Sequence, residues 1–303
     1  MRHSDSQTLS TSILLAVLSA IFMGTIGIVS KTTGLSADVV TFYRLFFGAA
    51  IMLGYLVIAR RAHLLSARPP WQVVVNGIFL ASFIVFYVQA MNYTSMANAI
   101  MLIYLAPITA SIIAHFWLKE RLTPRSIALI ATALFGFAMM MEFKLSFNQG
   151  SHESLGLGFG VLSMAAYAGF ILVNRIMPAS YPVLARTWYQ LLIGALCMLP
   201  FLLMAPVWPE QWQWGWLLAA GLIPGFLAIL FAVSALNHLP SSLFGTLAYF
   251  EPVAVVTFGW VLFDESLNTL QLTGCGVIML SGIIQAISSS RQNKTLQQET
   301  AHA

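Results

Sequence analysis

The chain has 303 residues, of which 59% are hydrophobic and only 8% are charged, and its formal net charge is +4. Because a soluble domain carries about 25% charged residues, this composition excludes a water-soluble globular fold. The basic residues are dispersed among short connections, which also excludes a surface that binds nucleic acid. The positive net charge is expected to reflect membrane topology instead.

Ten apolar blocks follow one another along the chain, each long enough to cross about 30 Å of hydrocarbon as a helix of about 20 residues. They begin near Thr11, Asp38, Trp71, Ala97, Pro124, Leu155, Leu184, Gln213, Ser241 and Thr269. The first block is too long for a cleavable signal peptide and is expected to remain as the first helix. The sequence therefore predicts an all-α integral membrane protein with ten transmembrane helices, followed by a disordered cytoplasmic tail at 289–303.

The basic residues are distributed unequally between the two ends of the predicted helices. If the N-terminus lies in the cytoplasm, Lys31 and Lys144 fall on the outer side and Arg44 lies inside a span. The other 11 of the 14 basic residues fall on the cytoplasmic side: Arg2, Arg60, Arg61, Arg68, Lys119, Arg121, Arg125, Arg175, Arg186, Arg291 and Lys294. This positive-inside asymmetry predicts that both termini are cytoplasmic.

The chain contains an internal duplication with an offset of 249 − 104 = 145 residues. The segments that show it are Tyr104-Leu-Ala-Pro107 and Tyr249-Phe-Glu-Pro252, and then Glu120-Arg-Leu122 and Glu265-Ser-Leu267. Further pairs at offsets of 144 to 146 are Ser19 and Ser163, Lys31 and Arg175, Thr41 and Thr187, and Asn92 and Asn237. The two units, 11–142 and 155–288, hold five helices each. Because five is odd, the second unit enters the membrane from the opposite side, so the sequence predicts inverted repeats.

Inverted repeats place a substrate near the midplane of the membrane, between the two halves. The pattern resembles the drug/metabolite transporter superfamily, specifically its EamA-type members. The residues that carry this resemblance are Arg44, Pro107 with Leu118-Lys-Glu120, and Glu251-Pro252 with Phe263-Asp-Glu265. The resemblance implies a ten-helix carrier of the cell inner membrane, often an exporter of amino acids or other small metabolites. The first unit has Ala106 where the second has Glu251, so the two halves are not chemically equivalent.

Glu251 and Arg44 are the main candidates for chemistry inside the membrane. Glu251 lies mid-way along the ninth helix, where a carboxylate is costly unless it is paired, hydrated or protonated, and this suits proton coupling. Alternatively, neighbouring polar groups satisfy the carboxyl and it stabilises a broken helix. Arg44 can bind a substrate carboxylate, pair with Glu251, or extend outward to the membrane surface. Gln190 occupies the matching position of the seventh helix, which favours an inward face for both residues.

Pro107 and Pro252 lie at mid-membrane in the fourth and ninth helices, where each is expected to kink its helix and is a candidate hinge. The alternative is a kink without a functional role. Aromatic side chains with polar edges are candidates for binding the substrate, although such residues also pack against lipid or neighbouring helices. They are Tyr87, Tyr104, Trp188 and Tyr249.

Three classes of function remain, and a secondary active transporter is favoured. It would export a small metabolite, such as an amino acid or an amino-acid-derived compound, by alternating access as a monomer or homodimer. A facilitative channel or a non-transporting membrane protein is the alternative, and an intramembrane enzyme is least favoured because it needs a cluster of acids, bases or metal ligands. No motif indicates a nucleotide or another cofactor. Cys197 and Cys275 lie inside predicted spans, so neither a metal site nor a disulfide framework is expected.

Overall fold

The computed structural model describes residues 2–66, 68–120, 122–144, 152–178, 180–204 and 208–302, and within these ranges the side chains of residues 8–290. The ten predicted helices are confirmed. Six of them are continuous: α2 (Ala37–Ile58), α3 (Trp71–Tyr93), α5 (Pro124–Met140), α6 (Glu153–Arg175), α7 (Val183–Met204) and α10 (Thr269–His302). Three consist of two parts each: α1 (Arg2–Gly24 and Ile26–Thr33), α4 (Met96–Ile103 and Ala106–Trp117) and α9 (Ser241–Ala248 and Phe250–Phe263). α8 consists of three parts, Gln213–Ala220, Gly221–Leu227 and Ala228–Leu236. Nine helices of the described chain are long and apolar enough to cross a membrane, and α5 is a shorter apolar helix.

The end of the chain differs from the predicted disordered tail, because the backbone of α10 continues as a helix to His302. The stretch after Gly282 contains neither proline nor glycine, and it includes four glutamines and three alanines. These residues have high helix propensity, so the polar stretch can extend the preceding membrane helix by one residue after another without a new nucleation step.

The helices alternate in direction between two faces of the bundle, as the inverted repeats require. We call the face at which α1 begins the N-terminal face. Gln213 at the start of α8 donates a hydrogen bond to the carbonyl oxygen of Thr33 at the end of α1, at 2.9 Å. At the N-terminal face, Gln285 near the end of the membrane part of α10 donates to Ser126 at the start of α5, at 3.2 Å.

The two units pack against each other along almost every helix. α2 packs on α7, α3 on α6, α5 on α10, and α1 on α8 and α9. The α2–α7 contact is part of a core of fully buried side chains such as Leu45, Met52 and Leu191. α2 also approaches α8 closely at Gly225, where an added side chain would collide with the carbonyl oxygen of Arg44. The interface between the two units is therefore extensive and closely packed.

Two of the interrupted helices break where proline dictates. Proline clashes with the carbonyl four residues earlier, and the first part of α4 ends at Ile103, four residues before Pro107. In the same way, the first part of α9 ends at Ala248, four residues before Pro252. The predicted kinks are thus present in both units. α1 also breaks, at Thr25, and the sequence analysis did not predict this interruption because no proline marks it.

Candidate functional site

A cavity of about 440 Å³ lies between the two units. Its wall combines α1, α2, α3 and α4 of the first unit with α6, α8 and α9 of the second. Most of the lining is apolar, and the polar or ionisable side chains among it are Ser19, Ser30, Thr41, Arg44, Tyr87, Tyr104, Tyr167 and Glu251. A cavity of this size with a few polar groups in an apolar wall has the composition of a small-molecule site.

The cavity extends unequally toward the two faces. Toward the face opposite the N-terminal face, its lining includes Ala37 and Met96, which are the first residues of α2 and α4. Toward the N-terminal face, the lining stops inside the bundle at Phe170, Ala232 and Phe244. The structure is therefore closed at the N-terminal face and extends its cavity toward the other.

Arg44 points into the bundle and does not extend to the membrane surface, since only 5% of the residue is exposed. Its Nη1 lies 3.8 Å from the sulfur of Met23, a weak acceptor, and its buried Nε has no hydrogen-bond partner. Of the ion pairs between described side chains, none joins Arg44 to Glu251, although both residues line the cavity. The guanidinium is therefore a buried cation with unused donors, which suits an anionic ligand.

Glu251 lies in the first turn of the second part of α9, immediately after the break. The first N–H groups of a helix are unpaired and carry partial positive charge, so the break supplies a favourable position for a carboxylate. Glu251 interacts electrostatically with Arg44 and with the nearby hydroxyl of Tyr104. The proline-induced break thus places an acidic group opposite a basic one in the same cavity.

The tyrosines divide into two groups. Tyr87 and Tyr104 line the cavity as predicted candidates, and Tyr167 of α6 joins them. Tyr249, the other tyrosine among the predicted candidates, does not line this cavity. Its hydroxyl donates a hydrogen bond of 2.6 Å to the carbonyl oxygen of Tyr104, which lies at the break of α4. Tyr249 therefore satisfies a backbone group that the break leaves without a helical partner.

Trp188 and Gln190 also lie outside the cavity. The Nε1 of Trp188 donates to the carbonyl oxygen of Ala49 at 3.1 Å, and the Nε2 of Gln190 donates to the side chain of Asn174 at 3.1 Å. Both Gln190 and Arg44 are buried, but only Arg44 lines the cavity in this conformation, so substrate binding by Gln190 stays a prediction. The second unit is inverted, so its residues at these positions face the closed N-terminal side.

Pro107 and Pro252 are buried and do not line the cavity. Their effect on the site is indirect, since they create the breaks at which Tyr104 and Glu251 lie. A hinge role for either proline stays a prediction. Within the described residues, no group of three or more histidine, cysteine, aspartate or glutamate side chains could hold a metal ion.

A polar network closes the N-terminal face. Glu120, after the end of α4, accepts a hydrogen bond of 2.6 Å from the Nε of Arg175 at the end of α6. Its other oxygen accepts a bond of 2.8 Å from the backbone N–H of Ser241, the first residue of α9. We call Glu120, Arg175 and Ser241 the Glu120 gate. The duplication relates its ion pair to the pair of Lys31 and Glu265 at the opposite face.

The sequence analysis used these four charged residues as markers of the repeat, of the membrane topology and of the family resemblance, and it did not predict that they pair. The signal was nevertheless present: Lys31 corresponds to Arg175, and Glu265 corresponds to Glu120. In each unit a basic residue at one helix end and an acidic residue at another thus recur at the same offset. Opposite charges that recur in this way are candidates for symmetric contacts at the two faces.

Comparisons with known proteins agree with this architecture. The model of the EamA-like transporter family matches residues 10–142 and 154–286. The pseudopaline exporter CntI of Pseudomonas aeruginosa is 25% identical over 289 residues, covering 94% of this chain and 98% of that protein. The S-adenosylmethionine uptake transporter of Rickettsia conorii is 21% identical over 277 residues, covering 90% and 91%.

An uncharacterised transporter of Archaeoglobus fulgidus is 25% identical over 270 residues, which cover 89% of this chain and 94% of that protein. A solved crystal structure superposes with a TM-score of 0.82 at 20% identity, covering 92% of this chain and 98% of that one, and so shows the same fold. The family match extends over both five-helix units and includes the helices that build the cavity. The chain is a multi-pass membrane protein and belongs to the EamA-like transporter family.

Proposed function

We propose that the protein is a secondary active carrier that exports a small metabolite, such as an amino acid or an amino-acid-derived compound, by alternating access. The observation that carries the proposal is the cavity between the units, which extends toward one face and is closed at the other. A cavity with this asymmetry fits one state of a carrier that exposes its site to the two sides in turn. The basic residues support an inner-membrane orientation with both termini in the cytoplasm.

The chemistry of the cavity supports a substrate that carries both a carboxylate and an amino group. Arg44 offers a planar fork of donors for a carboxylate, and Glu251 offers a carboxylate for an ammonium group. Tyr87, Tyr104 and Tyr167 add hydroxyl groups and flat apolar faces around these charges. The volume of about 440 Å³ is sufficient for a solute of amino-acid size.

Glu251 is the group that would couple transport to a proton gradient. When it is ionised it attracts the amino group of the substrate, and when it is protonated that attraction is lost. A proton that enters from the outside would therefore displace the substrate outward, and loss of that proton to the cytoplasm would restore the site. The breaks before Pro107 and Pro252 would act as hinges, because half-helices without a continuous backbone ladder can tilt separately.

The relatives differ in the direction of transport. One is named an exporter and another an uptake transporter. The similarity to the exporter supports export. Because the other relative is an uptake transporter, the test must measure flux in both directions.

The test is counterflow in proteoliposomes with a panel of radiolabelled proteinogenic amino acids, each with and without an imposed pH gradient. Wild-type protein should show saturable counterflow of at least one solute, and the gradient should drive its accumulation. Glu251→Gln should lose the accumulation, because the amide does not bind the coupling proton. It should keep counterflow only at a higher solute concentration, because the neutral amide attracts the amino group of the substrate less. Glu142→Gln is the control, since Glu142 lies outside the cavity and pairs with Lys144. Unsaturable flux without counterflow would indicate a channel, and pH-driven accumulation by Glu251→Gln would exclude Glu251 as the coupling residue.

A further inference from the structure

The polar residues of the cavity in the first unit have counterparts in the second. Ser19, Ser30, Thr41 and Arg44 line the cavity. The duplication relates them to Ser163, Asn174, Thr187 and Gln190, at offsets of 163 − 19 = 144, 174 − 30 = 144, 187 − 41 = 146 and 190 − 44 = 146. In the same frame Arg186 corresponds to Val40, which also lines the cavity. The second unit therefore contains its own set of cavity positions, and these positions carry a second arginine.

These counterparts are closed off in this conformation. Arg186, Thr187 and Gln190 are 0% exposed, and Asn174 is 1% exposed. The sequence analysis assigned Arg186 to the cytoplasmic side of the predicted helices. In the structure Arg186 lies in the first turn of α7, and its side chain is fully buried in the bundle.

Several buried polar atoms of Arg186 and Gln190 have no hydrogen-bond partner. Nη2 of Arg186 donates to the carbonyl oxygen of Val233 at 3.0 Å, while its Nε and Nη1 have no hydrogen-bond partner. Oε1 of Gln190 is likewise buried without a partner. No ion pair between described side chains includes Arg186. A buried cation with unused donors is costly, so a fixed packing role does not account for it.

We propose that Arg186, Asn174 and Gln190 form a second anion-binding site, which binds the carboxylate of the substrate when the cavity faces the cytoplasm. This inference rests on the proposed alternating access. In the present state the site is collapsed, and in the other state Arg186, Asn174 and Gln190 take the positions at the cavity that Val40, Ser30 and Arg44 occupy now. The donors that have no partner here then bind the anionic group of the solute.

The Glu120 gate covers this site at the N-terminal face. Arg186 bonds the carbonyl oxygen of Val233, and Arg175 of the gate lies 3.4 Å from the carbonyl oxygen of Leu236. Both carbonyls belong to the last turns of α8, so the two arginines hold the same helix end in the closed position. When the bonds of Glu120 to Arg175 and Ser241 break, the ends of α4, α8 and α9 are free to separate. That separation exposes Arg186 to the cytoplasm.

The test measures whether the cluster opens to water and whether it prefers anions. Cys197 and Cys275 are replaced by alanine, and Asn174→Cys is introduced as the reporter. Inside-out and right-side-out vesicles are treated with an anionic thiol reagent, sulfonatoethyl methanethiosulfonate, or a cationic one, trimethylammonioethyl methanethiosulfonate. We expect labelling from the cytoplasmic side only, with the anionic reagent reacting roughly tenfold faster, because a buried arginine concentrates anions in a narrow cavity. Each rate is divided by the rate of the same reagent with a free thiol in solution, and the ratio of these normalised rates is independent of how often the gate opens.

Arg186→Gln should remove the preference for the anionic reagent, whereas the matched variant Arg44→Gln should retain it. Glu120→Gln should increase the labelling rates of both reagents by the same factor, because it opens the gate without changing the charge of the site. Thr187→Cys serves as a second reporter if Asn174→Cys does not fold. Absence of cytoplasmic labelling at both positions, even with Glu120→Gln, would overturn the proposal, and so would equal rates for the two reagents when Arg186 is present.

Failure of the site and failure of the carrier are distinguishable. Counterflow of the amino-acid panel is measured on the protein in which only Cys197 and Cys275 are replaced by alanine, because Asn174 belongs to the proposed site. Intact counterflow with unlabelled reporters would refute the second site and leave the carrier standing. Anion-selective labelling without counterflow of any solute would support the site and refute the carrier.

Discussion

Replacing Glu120 by glutamine should weaken closure of the N-terminal face. The Glu120 carboxylate accepts one bond from Arg175 at 2.6 Å and one from the Ser241 backbone at 2.8 Å, and so joins the ends of α4 and α6 to the start of α9. Glutamine is nearly isosteric and can still accept the Ser241 bond. It loses the negative charge that faces Arg175.

The size of the effect follows from the burial of the pair. The side chains of Glu120 and Arg175 are 14% and 24% exposed, so solvent screens their interaction only in part. A charge-assisted hydrogen bond contributes about 1.5–3 kcal/mol, and allowance for partial exposure reduces the expected loss to about 1–2 kcal/mol. This corresponds to a change of about 5–30-fold in the equilibrium between closed and open gate.

The duplication supplies a matched control at the opposite face. Glu265 pairs with Lys31, and these side chains are 52% and 47% exposed. An exposed pair contributes about 0–1 kcal/mol, so Glu265→Gln should change the corresponding equilibrium by less than about fivefold. Its effect should also have the opposite direction, because it loosens the other face.

The assay is the distribution of distances between spin labels at Phe116 and His238, which lie near the ends of α4 and α8 and are exposed. Glu120→Gln should increase the population at longer distance, and Glu265→Gln should leave it unchanged or reduce it. Identical distributions for wild type and Glu120→Gln would show that the Glu120 gate does not stabilise closure. An equal shift in both variants would refute the assignment of the two pairs to opposite faces.

Three further predictions concern the cavity, the break in α4 and the topology. Arg44→Lys should raise the half-saturating substrate concentration about tenfold, since one charge-assisted bond of about 1.5 kcal/mol is lost. Arg44→Ala should nearly stop flux while the protein remains in the membrane. Wild-type affinity of the lysine variant would contradict carboxylate binding by Arg44. Tyr249→Phe should cost about 1–3 kcal/mol, because the carbonyl of Tyr104 loses its bond, and this is measured as a lower thermal midpoint against Tyr87→Phe as control. A reporter active only in the periplasm should give no signal when it is fused to the C-terminus, and a bright signal would contradict cytoplasmic termini.

The features of the site that follow from local chemistry were predictable. Pro107 and Pro252 break their helices because a missing N–H and a ring clash act within four residues, whatever the tertiary contacts are. Glu251 follows from the same reasoning, since a carboxylate inside an apolar span needs a specific environment. The break at Thr25 was not predictable in this way, because no residue there forbids a continuous helix.

The sequence alone determined the ten spans, the two five-helix units and their inversion, because apolar length and an internal offset need no knowledge of packing. Only the tertiary structure decided which copy of each repeated position lines the cavity. Arg44 lines the cavity while its counterpart Gln190 is buried against Asn174, and Tyr104 lines it while Tyr249 supports its backbone. A structure that is closed at one face, with a cavity that extends toward the other, cannot obey the two-fold symmetry of its repeats. Equivalent residues therefore occupy a cavity wall in one unit and a packed core in the other.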